Sequence, residues 1–439
     1  MQDSFVHIAI LGIGTVGSAV YRHFLEHQEL IFRKTGIRLN VKKILEKEPE
    51  KFFGQVPDKN VLTNDFDSIL NDKSIPIVVE LMGGTDAARQ YVLSALKKGK
   101  HVVTANKALI AENGLELQEA ITSSGSSFYY EGAVAGGIPI LAVLKECFAA
   151  NEIHSIQGIV NGTCNYILTE MAEKNQDFQI ALKTAIKKGF AEADPAFDIE
   201  GTDSAHKLMI LASLAFGEIV LPGSFPVKGI TSLSILDIRM AGEMGYTIRL
   251  IASAEKMSDG LVTNVGPCLV QKKHPLSSVS GVYNAVFVKG HPIGKTMFYG
   301  RGAGGDPTSS AVLGDVIACA KNCVLGNVKH NLYSEHMTQK AVFSHTGKAS
   351  CYYIRLWAED KPGVLAKIAG IFGKRSISIA SVLQKSPLLD ESAEPKKKSR
   401  VPVFLTTHQA HESNILQAVE EIKNETEMRD DPVVMRILE

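Results

Sequence analysis

Phe5-Val-His-Ile-Ala-Ile-Leu-Gly-Ile-Gly-Thr-Val-Gly17 reads as a short apolar strand that runs directly into a glycine-rich turn, with a helical stretch from Ser18 to about Lys34 behind it. A G-x-G-x-x-G string alone is weak evidence. Strand before and helix after make it a dinucleotide fingerprint: the glycines allow a tight turn and a close backbone approach to a pyrophosphate, which sits on the helix N-terminus. Gly12, Ile13, Gly14, Thr15, Val16 and Gly17 are therefore expected against a dinucleotide.

Working outward, Leu39 to Leu45 is the second strand, followed by Glu46-Lys-Glu48 where the residue that reads the ribose belongs. A carboxylate there favours NAD and a cation favours NADP; Lys47 stands between two glutamates, so either cofactor fits. Ile75 to Met82 is a buried strand ending in Gly83-Gly84, and the helix after it stops at Gly99. His101 to Lys107 is the next strand, with its polar residues at the carboxyl end. Ligands bind at that end of an open parallel sheet, so Thr104, Asn106 and Lys107 are expected to face the cofactor crevice. Position alone equally allows Lys107 to be a surface residue at a helix start. Ser127 to Glu131 is a further strand, and Gly132 to Pro139 is a small-residue exit before a helix through Phe148. This alternation gives an α/β, Rossmann-like doubly wound sheet over residues 1–135. Gly300 to Pro307 opens a small-residue helix to about Lys321, so 303–330 is expected to complete the first domain. Its glycines, Gly305 among them, either approach the cofactor from the other side or form a plain turn.

Residues 136–302 change character, with a strand from Glu152 to Asn161, a helix from Gly162, and strand-like segments near 248–256, 260–270 and 283–289. Within this α+β region lies Gly189-Phe-Ala-Glu-Ala-Asp-Pro-Ala-Phe-Asp-Ile-Glu-Gly-Thr-Asp-Ser-Ala-His-Lys207, followed by the apolar run to Phe216. Asp203 and Lys207 are four apart and share a helix face. A surface pair is the ordinary outcome for that spacing. The helix has no polar face beyond them, however, so it must be buried, and charges buried with it must be paired. The pair therefore marks the floor of a polar pocket. Hydride transfer to a carbonyl leaves an alkoxide to protonate, which suits Lys207, and the carboxylates suit an ammonium group. An amino-acid aldehyde or alcohol fits.

The tail, 350–439, alternates as a strand (Cys351 to Trp357), a helix after Asp360-Lys-Pro-Gly363, strands at 376–384 and 401–407, a helix at 413–423 and a strand at 432–438. That order is a ferredoxin-like βαββαβ unit. Leu389 to Arg400, with its lysine run, is expected to be a solvated hairpin tip.

The chain has 439 residues, enough for about three domains. Lysine plus arginine and aspartate plus glutamate balance at 47 each, which leaves no electrostatic footprint for nucleic acid or a membrane surface. The N-terminal residues lack a signal-peptide pattern and no run of about eighteen apolar residues occurs, so a cytoplasmic protein is expected. Six scattered cysteines contain no CxxC; Cys319 and Cys323, one helical turn apart, read as free thiols in a packed helix.

Gly12-Ile-Gly-Thr-Val-Gly, Thr104-Ala-Asn-Lys-Ala-Leu, Tyr130-Glu-Gly-Ala-Val-Ala-Gly-Gly-Ile-Pro, Asn161-Gly-Thr-Cys-Asn-Tyr-Ile-Leu, Gly189-Phe-Ala-Glu-Ala-Asp-Pro and Gly201-Thr-Asp-Ser-Ala-His-Lys occur in this order. Together they resemble homoserine dehydrogenase, from residue 5 to about 325, and the tail resembles an ACT domain. The resemblance implies NADPH- or NADH-linked interconversion of L-aspartate 4-semialdehyde and L-homoserine, on the route to threonine, methionine and isoleucine. It implies Lys207 as proton donor, Glu192 and Asp203 as homoserine ligands, Lys107 near the reacting carbon and nicotinamide, and Gly189 against cofactor and substrate. It further implies a monovalent-cation site (Na+ or K+) of main-chain carbonyls at Glu131, Val134, Gly136 and Ile138. The 136–302 region would then be the catalytic and dimerisation domain. An effector such as threonine is expected near Asp360 and Gly363, and a homodimer or homotetramer is favoured.

Three positions depart from the family pattern: Cys164 for a commoner Thr, Phe190 for a commoner Tyr, and Lys47 where NADP-preferring members carry Arg. Two rival readings follow from the residues. Cys164 near a helix start permits an aldehyde dehydrogenase that acylates a thiol. A sensor that keeps the dinucleotide fold only as scaffold is opposed by retention of Lys207, Asp203 and Glu192.

Overall fold

A computed structural model describes residues 5–258, 260–325, 332, 342–343, 348–384, 400–425 and 431–438. The lysine run lies outside these residues. The chain forms two compact units, Met1–Ile156 with His206–Gly223 and Tyr283–Lys340, and Gln157–Ala205 with Ser224–Val282 and Ala341–Glu439. Among the described residues, no helix is long and apolar enough to cross a membrane.

The first unit is built on a six-stranded sheet. Its strands run Leu62–Thr63, Arg38–Leu45, Phe5–Leu11, Ile77–Glu80, His101–Thr104 and Phe128–Tyr129 across the sheet. Every neighbouring pair is parallel. That is the doubly wound order, with the reversal beside Phe5–Leu11, where a crevice opens at the strands' carboxyl ends. The strands are near-continuous runs of Val and Ile because both faces are covered. Ile8, Ile10, Val79 and Val103 pack with Val20 and Phe24 of the helix Thr15–Thr35 and with Val312 and Val316 of the helix Gly305–Leu325. Those two helices touch closely: a Cβ on Gly305 would lie 3.2 Å from that of Ala19.

Local differences from the sequence reading follow from context. The expected strand at Ser127 to Glu131 shrinks to Phe128–Tyr129, since Glu131–Ala133 turns into a 3-10 helix. The helix expected through Phe148 is a short α-turn, Ile140–Ala142, continued as a π-helix, Val143–Cys147. Gly294–Arg301, absent from the reading, is a strand in antiparallel register with Tyr283–His291. Its largely exposed, charged and glycine-rich sequence carries little alternation, so only its partner reveals it.

The second unit holds the hairpin Tyr246–Met257 and Gly260–Gln271, paired along its full length from Tyr246↔Gln271 to Met257↔Gly260. The tail forms the expected βαββαβ order: Tyr352–Glu359, Val364–Lys374, Ile379–Gln384, Arg400–Thr407, Glu412–Lys423 and Val433–Leu438. It does not stand apart. Its closing strand, Val433–Leu438, lies antiparallel to Tyr352–Glu359 on one side and parallel to Gly260–Gln271 on the other. A buried ion pair fastens the same junction. Arg355 Nε donates to Asp237 Oδ1 at 2.8 Å and the Tyr353 hydroxyl to the same oxygen at 2.9 Å. Asp237 Oδ2 accepts from the Ser234 backbone N–H and hydroxyl, each at 2.9 Å, closing a capping box on the helix Ile235–Glu243.

Asp237 thus carries four hydrogen bonds with no water contact. Replacing it with alanine leaves Arg355 as an uncompensated buried charge, so Asp237→Ala should cost about 3–5 kcal/mol. Urea unfolding that shows no shift in midpoint would mean that the pair contributes nothing to this junction.

Candidate functional site

The glycine turn is held from two sides. Gly12 has φ +90°, a conformation open mainly to glycine, and a Cβ on Gly17 would sit 2.1 Å from the Gly12 carbonyl oxygen. Side chains are excluded at both. Gly14 caps the helix Thr15–Thr35 and faces open space, leaving free N–H groups at the helix start. A cavity of about 320 Å³ lies beside this turn, lined among others by Gly12, Gly14, Glu46, Lys47, Met82 and Gly83. Glu46 is anchored there by the Ile13 N–H (3.3 Å) and the Lys47 N–H (2.9 Å). Lys47 lines the same wall, so both signs of charge face this cavity.

At the carboxyl ends of the next two strands the polar residues form a chain. The Thr104 hydroxyl bonds to Glu80 Oε2 at 2.5 Å, and the Met82 N–H donates to Oε1 at 2.8 Å. The Asn106 N–H donates to Thr104 Oγ1, the Asn106 amide to the Gly84 carbonyl, and Asn106 Oδ1 accepts from the Leu109 N–H. Asn106 therefore caps the helix Lys107–Ser124 and fixes Lys107 as its first residue. The Thr104 side chain does not face the crevice as expected: it is fully buried against Glu80, which sequence reasoning passed over as part of an apolar strand.

Between the sheet and the helix Gly305–Leu325, residues 131–138 fold tightly. The Gly136 and Gly137 N–H groups donate to the Gly302 and Arg301 carbonyls, and a Cβ on Gly137 would lie 2.4 Å from the latter. Ala135 takes a positive φ of 49°. The Glu131 carboxylate is occupied elsewhere, accepting from the Leu141 and Ala142 N–H groups at 2.9 and 2.7 Å. Of the main-chain oxygens in this turn, those of Glu131 and Ile138 accept from the Val134 and Ile140 N–H groups at 3.5 and 2.7 Å.

The helix Thr202–Phe216 begins after Gly201, with Asp203 only 3% and Lys207 only 7% exposed. The burial inferred from the apolar run is thus correct for both. Asp203 Oδ2 accepts from Asn161 Nδ2 at 2.8 Å, and the same nitrogen donates to Asp198 Oδ1 at 2.7 Å. Asn161 Oδ1 accepts from the Cys164 N–H at 2.7 Å, capping the helix Gly162–Lys174. Gly189, with φ +73°, ends the helix Phe178–Lys187, and Glu192 is exposed three residues on.

Three stretches match family models: residues 12–131 match "Homoserine dehydrogenase, NAD binding domain", 139–317 "Homoserine dehydrogenase", and 352–424 "ACT domain". The homoserine dehydrogenase of Bacillus subtilis is 37% identical over 95% of this chain and 97% of its own length; that of Corynebacterium glutamicum is 39% identical over 96% and 93%. The chain belongs to the homoserine dehydrogenase family. Among solved structures, a homoserine dehydrogenase from Thiobacillus denitrificans superposes with a TM-score of 0.93 at 36% identity, covering 99% of each chain. A hyperthermophilic archaeal homoserine dehydrogenase in complex with NADPH gives 0.62 at 28% identity, over 75% of this chain and all of its own. As a homoserine dehydrogenase the chain is an NAD(P)-dependent oxidoreductase with a nicotinamide-dinucleotide domain and an ACT domain.

Against that frame the departures are mild. Cys164 is fully buried and its thiol donates to the Asp198 carbonyl at 3.2 Å, so it offers no face to an aldehyde. Phe190 stays half-exposed, its ring centroid 4.8 Å from that of Tyr166. Asn161 is the residue that sequence reasoning missed. It was legible in principle, since an Asn before Gly-Thr-Cys and a helix is an N-cap signal, but its two carboxylate partners lie 37 and 42 residues away.

Burial raises the Glu80 carboxyl from 4.5 to about 7, against the opposing pull of its hydrogen bonds. The folded chain thus keeps a proton that the unfolded chain releases. This contribution to stability is present below the unfolded value and is lost as pH rises through the folded one. Glu80→Gln should therefore gain thermal stability relative to the parent at about pH 8 and not at about pH 5. Equal differences at both would show that Glu80 is already ionised in the fold.

Proposed function

We propose that this homoserine dehydrogenase interconverts L-homoserine and L-aspartate 4-semialdehyde, with Lys207 as the group that takes and returns the hydroxyl proton. The observation that carries the reading is the burial of Lys207 and Asp203 at the start of an apolar helix. Two desolvated charges are costly unless function or pairing requires them. A bound nicotinamide supplies the hydride acceptor for the carbinol carbon. The chain supplies the rest: Glu192 and Asp203 bind the substrate's ammonium group, Asn161 orients Asp203, and Lys107 lies near the reacting carbon. In the reducing direction Lys207 protonates the oxygen that becomes the alcohol. Gly12, Ile13, Gly14, Thr15, Val16, Gly17, Gly83, Gly84, Gly189 and Gly305 lie along the cofactor, with Thr104 acting through its main chain.

The main-chain oxygens of Glu131, Val134, Gly136 and Ile138 hold Na+ or K+, a role supported by the tight, carbonyl-rich turn. In this reading residues 1–135 and 303–330 bind the dinucleotide, 136–302 carry substrate and dimer contacts, and 350–439 sense an amino acid of the same pathway, threonine among them, near Asp360 and Gly363. A cytoplasmic homodimer or homotetramer in threonine, methionine and isoleucine biosynthesis is the matching setting.

Lys207→Ala should lower kcat for L-homoserine oxidation by about 10²–10⁴-fold, the usual worth of a positioned acid or base, with NADH affinity unchanged. Undiminished turnover would remove Lys207 from the proton step. A separate assay addresses the cofactor. Glu46 presents a carboxylate to the ribose end and disfavours a 2′-phosphate, so Glu46→Gln should raise the NADP to NAD ratio of kcat/KM by about tenfold, the effect of roughly 1.4 kcal/mol. An unchanged ratio would mean that Glu46 serves only to brace Ile13.

A further inference from the structure

On the outer face of the helix Thr15–Thr35, remote in sequence from every residue given a role above except its neighbours in the glycine loop, stand His23, Glu26 and His27. Their spacing of three and four residues puts them on one face, and one ligand atom from each lies within 4.8 Å of the others. Asp306, the second residue of the helix Gly305–Leu325, joins them: its Oδ1 is 3.0 Å from His23 Nε2 and 2.6 Å from the Arg22 guanidinium. His23 Nδ1 is 3.2 Å from Glu26 Oε2. Both nitrogens of one imidazole therefore face carboxylates. Asp306 and the Arg22 guanidinium, 3.3 Å from Nε2, occupy the Nε2 side, so His23 meets Glu26 through Nδ1. His27 is set to bind a cation. Its Nδ1 is 3.0 Å from the His23 carbonyl, which can only accept, so the proton is on Nδ1 and Nε2 presents its lone pair. A backbone carbonyl on the far nitrogen is the usual support of a metal-bound histidine.

We propose that His23 through Nδ1, Glu26 and His27 form a surface site for a divalent transition-metal ion of the zinc type, with Asp306 holding the far nitrogen of His23. Two imidazoles with carboxylates select Zn2+, Ni2+ or Cu2+ over Mg2+ and Ca2+, which require oxygen ligands. The carboxylates bring the negative charge that a dication needs. Binding fixes the remaining proton of His23 on Nε2, where Asp306 accepts it, and so ties the helix that follows the glycine turn to the helix that begins at Gly305. The ion is structural here: it sits on one helix, strengthens the contact to the other and takes no part in hydride transfer.

Calorimetric titration of the chelator-treated full-length protein with Zn2+ tests this. Saturable micromolar binding and a metal-dependent rise in Tm are expected. Affinity should fall by about tenfold or more in both His23→Ala and His27→Ala, and to a smaller extent in Asp306→Asn. His27 and Glu26 are exposed, so these variants should keep the metal-free Tm, and circular-dichroism melting checks that they do. Co2+ in place of Zn2+ separates this site from the free thiols, since cysteine ligation adds an intense thiolate charge-transfer band. Absence of saturable binding, undiminished affinity in the histidine variants, or a thiolate band at the first equivalent would each overturn the proposal.

Discussion

Asn161 holds the charged centre of this chain in place. Its amide nitrogen has two hydrogens and spends one on Asp198 and one on Asp203, while its oxygen caps the helix that follows. No other side chain of that length offers two donors and an acceptor on one planar group. Aspartate would put a third carboxylate beside two others, and alanine would remove the donor that Asp198 and Asp203 share. The placing of two carboxylates thus depends on one amide group.

A similar division runs through the dinucleotide crevice. Glu80, Thr104 and Asn106 are tied to one another and to the backbone, and they place Lys107 at the first position of its helix. Gly12 and Gly17 act by what they lack, allowing the turn to close on itself. Glu46 braces the same turn through Ile13 while lining the cavity wall. Rigid positioning of this kind comes from groups that cannot move without breaking several bonds at once.

Much of the architecture could be read from the residues because its signals are local. The strand, glycine turn and helix from Phe5 to Thr35 are adjacent in sequence, as are the apolar run after Lys207 and the βαββαβ pattern of the tail. Features built by distant partners were not legible. Gly294–Arg301 becomes a strand only beside Tyr283–His291, Thr104 turns inward because Glu80 lies beneath it, and Asp237 meets Arg355 across 118 residues. Each depends on pairing, which periodicity does not encode.

The parallel pairing of Val433–Leu438 with Gly260–Gln271 bears on how this protein can be shortened or recombined. A module joined through a flexible linker can be cut away and leave its neighbour intact. Here the last strand of the ACT-domain tail covers the edge of a 12-residue strand, and its loss would uncover a row of unsatisfied backbone groups, the kind of edge that recruits other chains and aggregates. A chain that acquired this tail in such an arrangement has made it part of its own solubility.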